Sequence, residues 1–120
     1  MLGGAELMSF VATTDLDRAH DFYAGTLGLE FQGRDQFACQ FRGLRVTLVQ
    51  EVAGAPYTVL GWRVDDVEAR VRELAERGVA FETYDGMEQD ELGIWTSPSG
   101  ARIAWFKDPD GNTLSLAQSS

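Results

Sequence analysis

The chain carries few groups able to make or break bonds, and none is paired by its spacing. It has one histidine, His20, and one cysteine, Cys39, on separate predicted elements. A Cys–His nucleophile needs the two within hydrogen-bond reach, which chain order alone does not supply. Ser97 and Ser99 flank Pro98 and precede Gly100, with no base motif beside them. No glycine-rich phosphate loop occurs. Nineteen Asp and Glu stand against ten Lys and Arg, and they fall mostly on predicted helices and loops. There they read as solvation rather than as an acid–base pair. His20 lies at the spacing of a core-facing helical stripe and suits packing or capping. Cys39 suits a small, buried strand hydrophobe.

Composition narrows the partners. The formal charge is −9 and the pI about 4.4. Nucleic acid is excluded as a partner, because phosphate binding needs a basic footprint, and an anionic membrane surface is excluded on the same ground. An acid-rich field either favours a cationic ligand or simply keeps the protein in solution. No apolar run approaches the 18 residues of a membrane span, and Met1–Glu6 shows no basic region of a signal peptide. A lone cysteine forbids an internal disulfide and fits a reducing cytoplasm. At 120 residues and 44% hydrophobic content, the chain is expected to be one domain with a true core.

The elements that would position any site come in two copies. At a shift of fifty residues Asp15 matches Asp65, Ala19 matches Ala69, Gly28 matches Gly78 and Phe31 matches Phe81. Asp15 and Asp65 suit helix N-caps or first turns, where a carboxylate meets orphan N–H groups. Gly28 and Gly78 suit the left-handed position after a helix. Between them Leu16, Ala19, Tyr23 and Leu27, and then Val67, Val71, Leu74 and Ala75, recur at helical spacing. Alternation predicts strands over 7–13, 30–33, 36–41 and 44–50, with a helix over 16–26. The second copy reads as strands over 58–64, 80–84, 102–106 and 113–117, with a helix over 67–77. Each copy is thus β-α-β-β-β, the pseudo-repeats spanning about 5–50 and 57–118. Residues 107–112, Lys-Asp-Pro-Asp-Gly-Asn, form a turn by composition.

Three segments carry a family resemblance. They are Asp15-Leu16-Asp17-Arg18-Ala19-His20-Asp21-Phe22-Tyr23 with Leu27-Gly28-Leu29, then Val64-Asp65-Asp66-Val67, and Phe106-Lys107-Asp108-Pro109-Asp110-Gly111-Asn112-Thr113-Leu114. In this order, on this repeat, the sequence resembles the vicinal oxygen chelate superfamily of glyoxalase I, bleomycin-resistance proteins and extradiol dioxygenases. The resemblance implies an α+β fold of two βαβββ modules forming a curved mixed sheet around a cleft. It also implies a homodimer, often with the cleft shared between chains.

The family's metal enzymes place His, Glu or Gln ligands on strands of both modules. The resemblance carries these positions to Met8, Thr47, Val59 and Ser115. None offers an imidazole or carboxylate, the donors a hard or borderline divalent ion requires. No metal and no other cofactor is therefore expected, which weighs against catalysis. The same register predicts the cleft lining, since alternate strand residues share a face. Met8, Phe10 and Ala12 would face it, with Arg45, Thr47 and Val49, and so would Val59, Gly61 and Arg63, with Thr113, Ser115 and Ala117. Gly61 would leave room for a ligand. The other reading of these positions is a packed sheet face or a dimer seam.

Trp95 follows the polar stretch 85–93, too long for a simple turn, and is a candidate lid or stacking residue. The alternative is a short strand at Ile94 and Trp95 with the ring in the core. Trp62 and Trp105 are expected to pack beneath the helices. The function expected is metal-independent binding of a small aromatic molecule, cationic character being an option, as in bleomycin-resistance-type sequestration. Met8, Phe10, Arg45, Thr47, Val59, Gly61, Arg63, Trp95 and Ser115 are the candidate contacts, and no catalytic residue is assigned. The alternatives are a lyase or oxidoreductase of the glyoxalase and dioxygenase type with an unrecognised site, and a regulatory module whose cleft has collapsed.

Overall fold

The alternation of Ser9–Thr13 buries Val11 and Thr13 and leaves Phe10 to the other side, which makes a half-covered strand, β1. It opens the first of two units, Met1–Val52 and Ala53–Ser120, into which the computed structural model divides the 120 residues, all of them described. In the first unit β1 leads to α1 (Leu16–His20), which runs on into a π-helical turn over Asp21–Thr26. Then come β2 (Phe31–Arg34), β3 (Ala38–Phe41) and β4 (Leu44–Leu48). The sheet order is β1-β4-β3-β2, with β1 parallel to β4 and the other pairs antiparallel. A bulge at Gln32, between the paired residues Phe31 and Gly33, breaks the register of edge strand β2.

The second unit repeats this plan. Its elements are β5 (Leu60–Arg63), α2 (Val67–Glu76), β6 (Trp95–Thr96), β7 (Arg102–Lys107) and β8 (Thr113–Gln118). The order is β5-β8-β7-β6, again with only the first pair parallel. Two four-stranded mixed sheets with one helical segment each form the α+β fold expected of two βαβββ modules. No helix is long and apolar enough to cross a membrane.

Two expectations need correction. The cap of α2 is Asp66, not Asp65: the Asp66 carboxylate accepts from the Ala69 N–H at 3.0 Å. Asp15 does cap α1, accepting from the Arg18 N–H at 3.0 Å. The caps are therefore offset by 51 residues (15 to 66), while Gly28 and Gly78, with φ of 69° and 92°, keep an offset of 50. The first helical segment holds one residue more than the second. The π turn absorbs it, as the Leu27 N–H to Phe22 carbonyl bond of 2.9 Å spans five residues. The strand expected over 80–84 is also reduced. Phe81 makes a single bridge to Phe106, and the Glu82 N–H reaches the Trp105 carbonyl at 2.8 Å. The chain then departs, and the edge of β7 is completed by β6.

Each unit has its own core under its helix. In the first, Leu16, Ala19 and Tyr23 meet Cys39, Phe41, Leu44 and Val46, all buried. Tyr23 and Phe41 lie with ring centroids 6.0 Å apart. In the second, Val67, Val71 and Leu74 cover Ala104, Phe106, Leu114 and Leu116. Trp62 stacks on Phe106 at 6.4 Å and 17°, on the helix side as expected. Large side chains buried this fully contribute about 1.5–3 kcal/mol each. His20 packs edge-on against Phe31 at 4.6 Å, with Nδ1 3.5 Å from the Asp21 carboxylate.

Candidate functional site

Each helix covers one face of its sheet, so the candidate residues are those that alternation sends to the other. In the first unit Phe10 lies opposite Arg45 and Ala12 opposite Thr47, while Gln40 flanks Arg45 from β3. Phe10 is 60% exposed, and Met8, just ahead of β1, is 48% exposed. Arg45 and Thr47 are half-buried. This face mixes apolar Phe10 and Ala12 with polar Gln40 and Thr47 and one cation, Arg45, which makes no ion pair.

In the second unit the register builds two rows. Gly61, Ser115 and Trp105 form one, and Arg63, Ala117, Ile103 and Trp95 form the other. Val59 precedes them, its N–H bonded to the Thr113 carbonyl at 2.9 Å. Thus Val59, Gly61, Arg63, Trp95 and Ser115 belong to the open side of one sheet. Gly61 does not leave ligand space, however. A β-carbon there would stand 3.0 Å from the Ser115 Oγ and 3.2 Å from its carbonyl oxygen. The serine hydroxyl occupies the room that the missing side chain provides.

Trp105 is the main correction. It was expected beneath α2, yet it pairs with Ser115 and lies on the open side. There it meets Trp95 at 6.2 Å and Tyr84 edge-to-face at 5.6 Å. Trp95 does lie in a short strand, but the buried member of that pair is Ile94; Trp95 remains half-exposed. The missed signal was the hairpin. Residues 107 and 113 close symmetrically about the 108–112 turn, which forces 105 opposite 115.

Around Trp105 the second unit forms a hollow of about 260 Å³ lined by Pro56, Tyr57, Tyr84, Met87, Trp105 and Thr113. Three elements shape it. The turn Asp108–Asn112 is fixed by the buried Asp108 carboxylate, which accepts from the N–H groups of Asp110 and Asn112 and from Asn112 Nδ2 at 2.8–3.0 Å. Thr113 follows that turn, and its hydroxyl donates to the Ala55 carbonyl at 2.8 Å, holding Pro56 and Tyr57 at the rim. The stretch 84–93 supplies Tyr84 and Met87. It is fastened by Gln89, whose side chain bonds the Tyr84 N–H and the carbonyls of Glu82 and Gly93 at 2.7–2.9 Å. Asp90 accepts from the N–H groups of Leu92 and Ile94.

Burial, and secondarily the Glu82 charge, push the Tyr84 hydroxyl above its ordinary pKa, so it remains a neutral donor at physiological pH. Lys107 Nζ donates to the Thr113 Oγ1 at 3.1 Å. Nowhere are three or more His, Cys, Asp or Glu side chains grouped to hold a metal. The positions to which the resemblance would carry metal ligands present a thioether (Met8), hydroxyls (Thr47, Ser115) and an isopropyl group (Val59). That donor set does not fit a divalent metal.

Paired βαβββ units, each with a covered and an open sheet face, define a class of small α+β proteins built by duplication. Comparison with known families is specific: residues 6–116 match the Glyoxalase/Bleomycin resistance protein/Dioxygenase superfamily. The chain belongs to that superfamily. A superfamily member from Sphaerobacter thermophilus DSM 20745 superposes with a TM-score of 0.75 at 24% identity, covering 99% of this chain and 100% of that one. A glyoxalase/bleomycin resistance protein/dioxygenase from Alicyclobacillus acidocaldarius gives 0.67 at 21%, covering 99% and 95%. The lactoylglutathione lyase from Agrobacterium tumefaciens gives 0.68 at 22%, covering 98% and 96%. At such identities the likeness shows the fold alone. No curated sequence matches the chain significantly.

Proposed function

We propose that the protein binds a small aromatic molecule without a metal, stacking it in the hollow on the open side of the second sheet. The observation that carries this reading is the convergence of Tyr57, Tyr84, Trp105 and Met87 on one concave site. Aromatic and thioether walls with few polar groups are what small-molecule sites present. The volume lies just under the roughly 300–1,000 Å³ of sites for drug-sized ligands, which suits one or two fused rings. Sequestration, as in drug-binding members of the superfamily, then needs affinity and no reacting group. The homodimer implied by the resemblance is a separate proposal, which sedimentation velocity tests.

The experiment is a tryptophan-fluorescence titration of EDTA-treated protein with planar aromatic probes and bleomycin-type antibiotics. Saturable quenching without added metal is expected. A flat response across the panel would sink the proposal, and stoichiometric Zn, Ni, Mn or Fe in the purified protein would overturn its metal-free part.

A further inference from the structure

The charged group bonded to the wall of the hollow is an ammonium, that of Lys107, which is not itself one of the lining residues. Lys107 stands two residues from Trp105 on the same strand face, opposite Thr113. Its Nζ donates to the Oγ1 of Thr113, a residue of the hollow's wall, at 3.1 Å. That hydroxyl gives its own proton to the Ala55 carbonyl, so its lone pairs are turned to the lysine. Lys107 is the only charged side chain hydrogen-bonded to any residue of the wall. It has no carboxylate within ion-pair distance, although the chain has nearly two acids for every base. Arg34, Arg70, Arg72 and Arg102 pair with acids, while Arg45, in the first unit, is like Lys107 in lacking an ion pair.

We infer that the hollow takes an aromatic molecule bearing a carboxylate, or an equivalent anionic oxygen, which Lys107 binds while the rings stack on Trp105 and Tyr84. This rests on the hollow being the ligand site. The opposing field of the chain is weak at this position. Charges on an exposed surface are screened over about 8 Å at physiological ionic strength, whereas an ammonium in contact with the ligand is not. Glu82 is the acid whose charge reaches Tyr84, whereas Lys107 is bonded to Thr113. An anionic group therefore gains a charge-assisted hydrogen bond at the Thr113 end. A cation there would meet the ammonium.

Three probes of one shape separate the possibilities: 2-naphthoate, 2-naphthamide and 2-naphthylmethylammonium, titrated against the full chain by tryptophan fluorescence. The carboxylate is expected to bind about tenfold tighter than the amide, the size of one charge-assisted bond. Lys107→Met should erase that preference while leaving amide affinity unchanged, and Lys107→Arg should keep it. Equal binding of carboxylate and amide, tightest binding of the ammonium, or a preference that survives in Lys107→Met would overturn the role of Lys107 and leave the hollow a ligand site. Quenching by none of the three would overturn the site itself.

Discussion

Tyr84 and Trp105 meet edge to face, ring centroids 5.6 Å apart and planes at 83°, although one lies beyond the last residue of a bridge and the other mid-strand. Both rings line the hollow. Trp105→Ala is expected to weaken naphthoate binding by about 2 kcal/mol, as loss of a buried aromatic anchor does. Calorimetric titration measures it. Unchanged affinity would move the site elsewhere.

Gly61 and Ser115 are paired across β5 and β8 with no room to spare. Gly61→Ala should cost about 1–2 kcal/mol in urea unfolding, since the new methyl strikes both the hydroxyl and the backbone carbonyl of Ser115. Ser115→Gly in the same chain should restore part of that loss, because the 3.0 Å contact disappears while the 3.2 Å contact remains. A double-mutant cycle with no coupling would contradict the geometry.

The buried Asp108 carboxylate holds three donors across a turn whose ends, Asp108 and Asn112, are buried and whose Pro109 is exposed. Asp108→Ala strands those donors and should destabilise the protein by about 2–4 kcal/mol. It should also loosen the hollow, because Thr113 and the Ala55–Tyr57 rim hang from the same turn. Both effects are readable together as a lower denaturation midpoint and weaker probe binding.

Cys39 is fully buried, and that burial pushes its thiol above the ordinary value of 9.0. The folded state then holds its proton where the unfolded chain releases it. The associated stability is complete below pH 9 and lost as pH rises through the folded-state value. Urea midpoints should therefore fall less steeply between pH 8 and 10 in Cys39→Ala than in the parent. Thiol labelling of the native protein at pH 8 should be slow and should accelerate on unfolding; fast labelling would contradict the burial.

Much of this was legible in one dimension. Period-two alternation in Ser9–Thr13 and Thr113–Gln118, together with Asp15, Gly28 and Gly78 at helix ends, carries local physics that does not depend on the rest of the chain. The cap of α2 was misread by one residue because Asp65 and Asp66 are chemically identical. Only the backbone angles show which is outside the helix. Residues 80–84 have strand-like composition, yet the ladder stops after Phe81, because the edge of β7 is shared with Trp95–Thr96.

The amino-acid sequence by itself determined the duplication, the superfamily and the absence of ligating side chains at Met8, Thr47, Val59 and Ser115. These follow from residue type at a fixed spacing. Tertiary structure alone decided that Trp105 faces outward, that Ser115 fills the space over Gly61, and that Tyr57, Tyr84 and Met87 gather around one hollow. Those facts depend on hairpin register and on hydrogen bonds between segments far apart in the chain, such as Thr113 to Ala55. A one-residue slip in that register would turn the indole of Trp105 into the core.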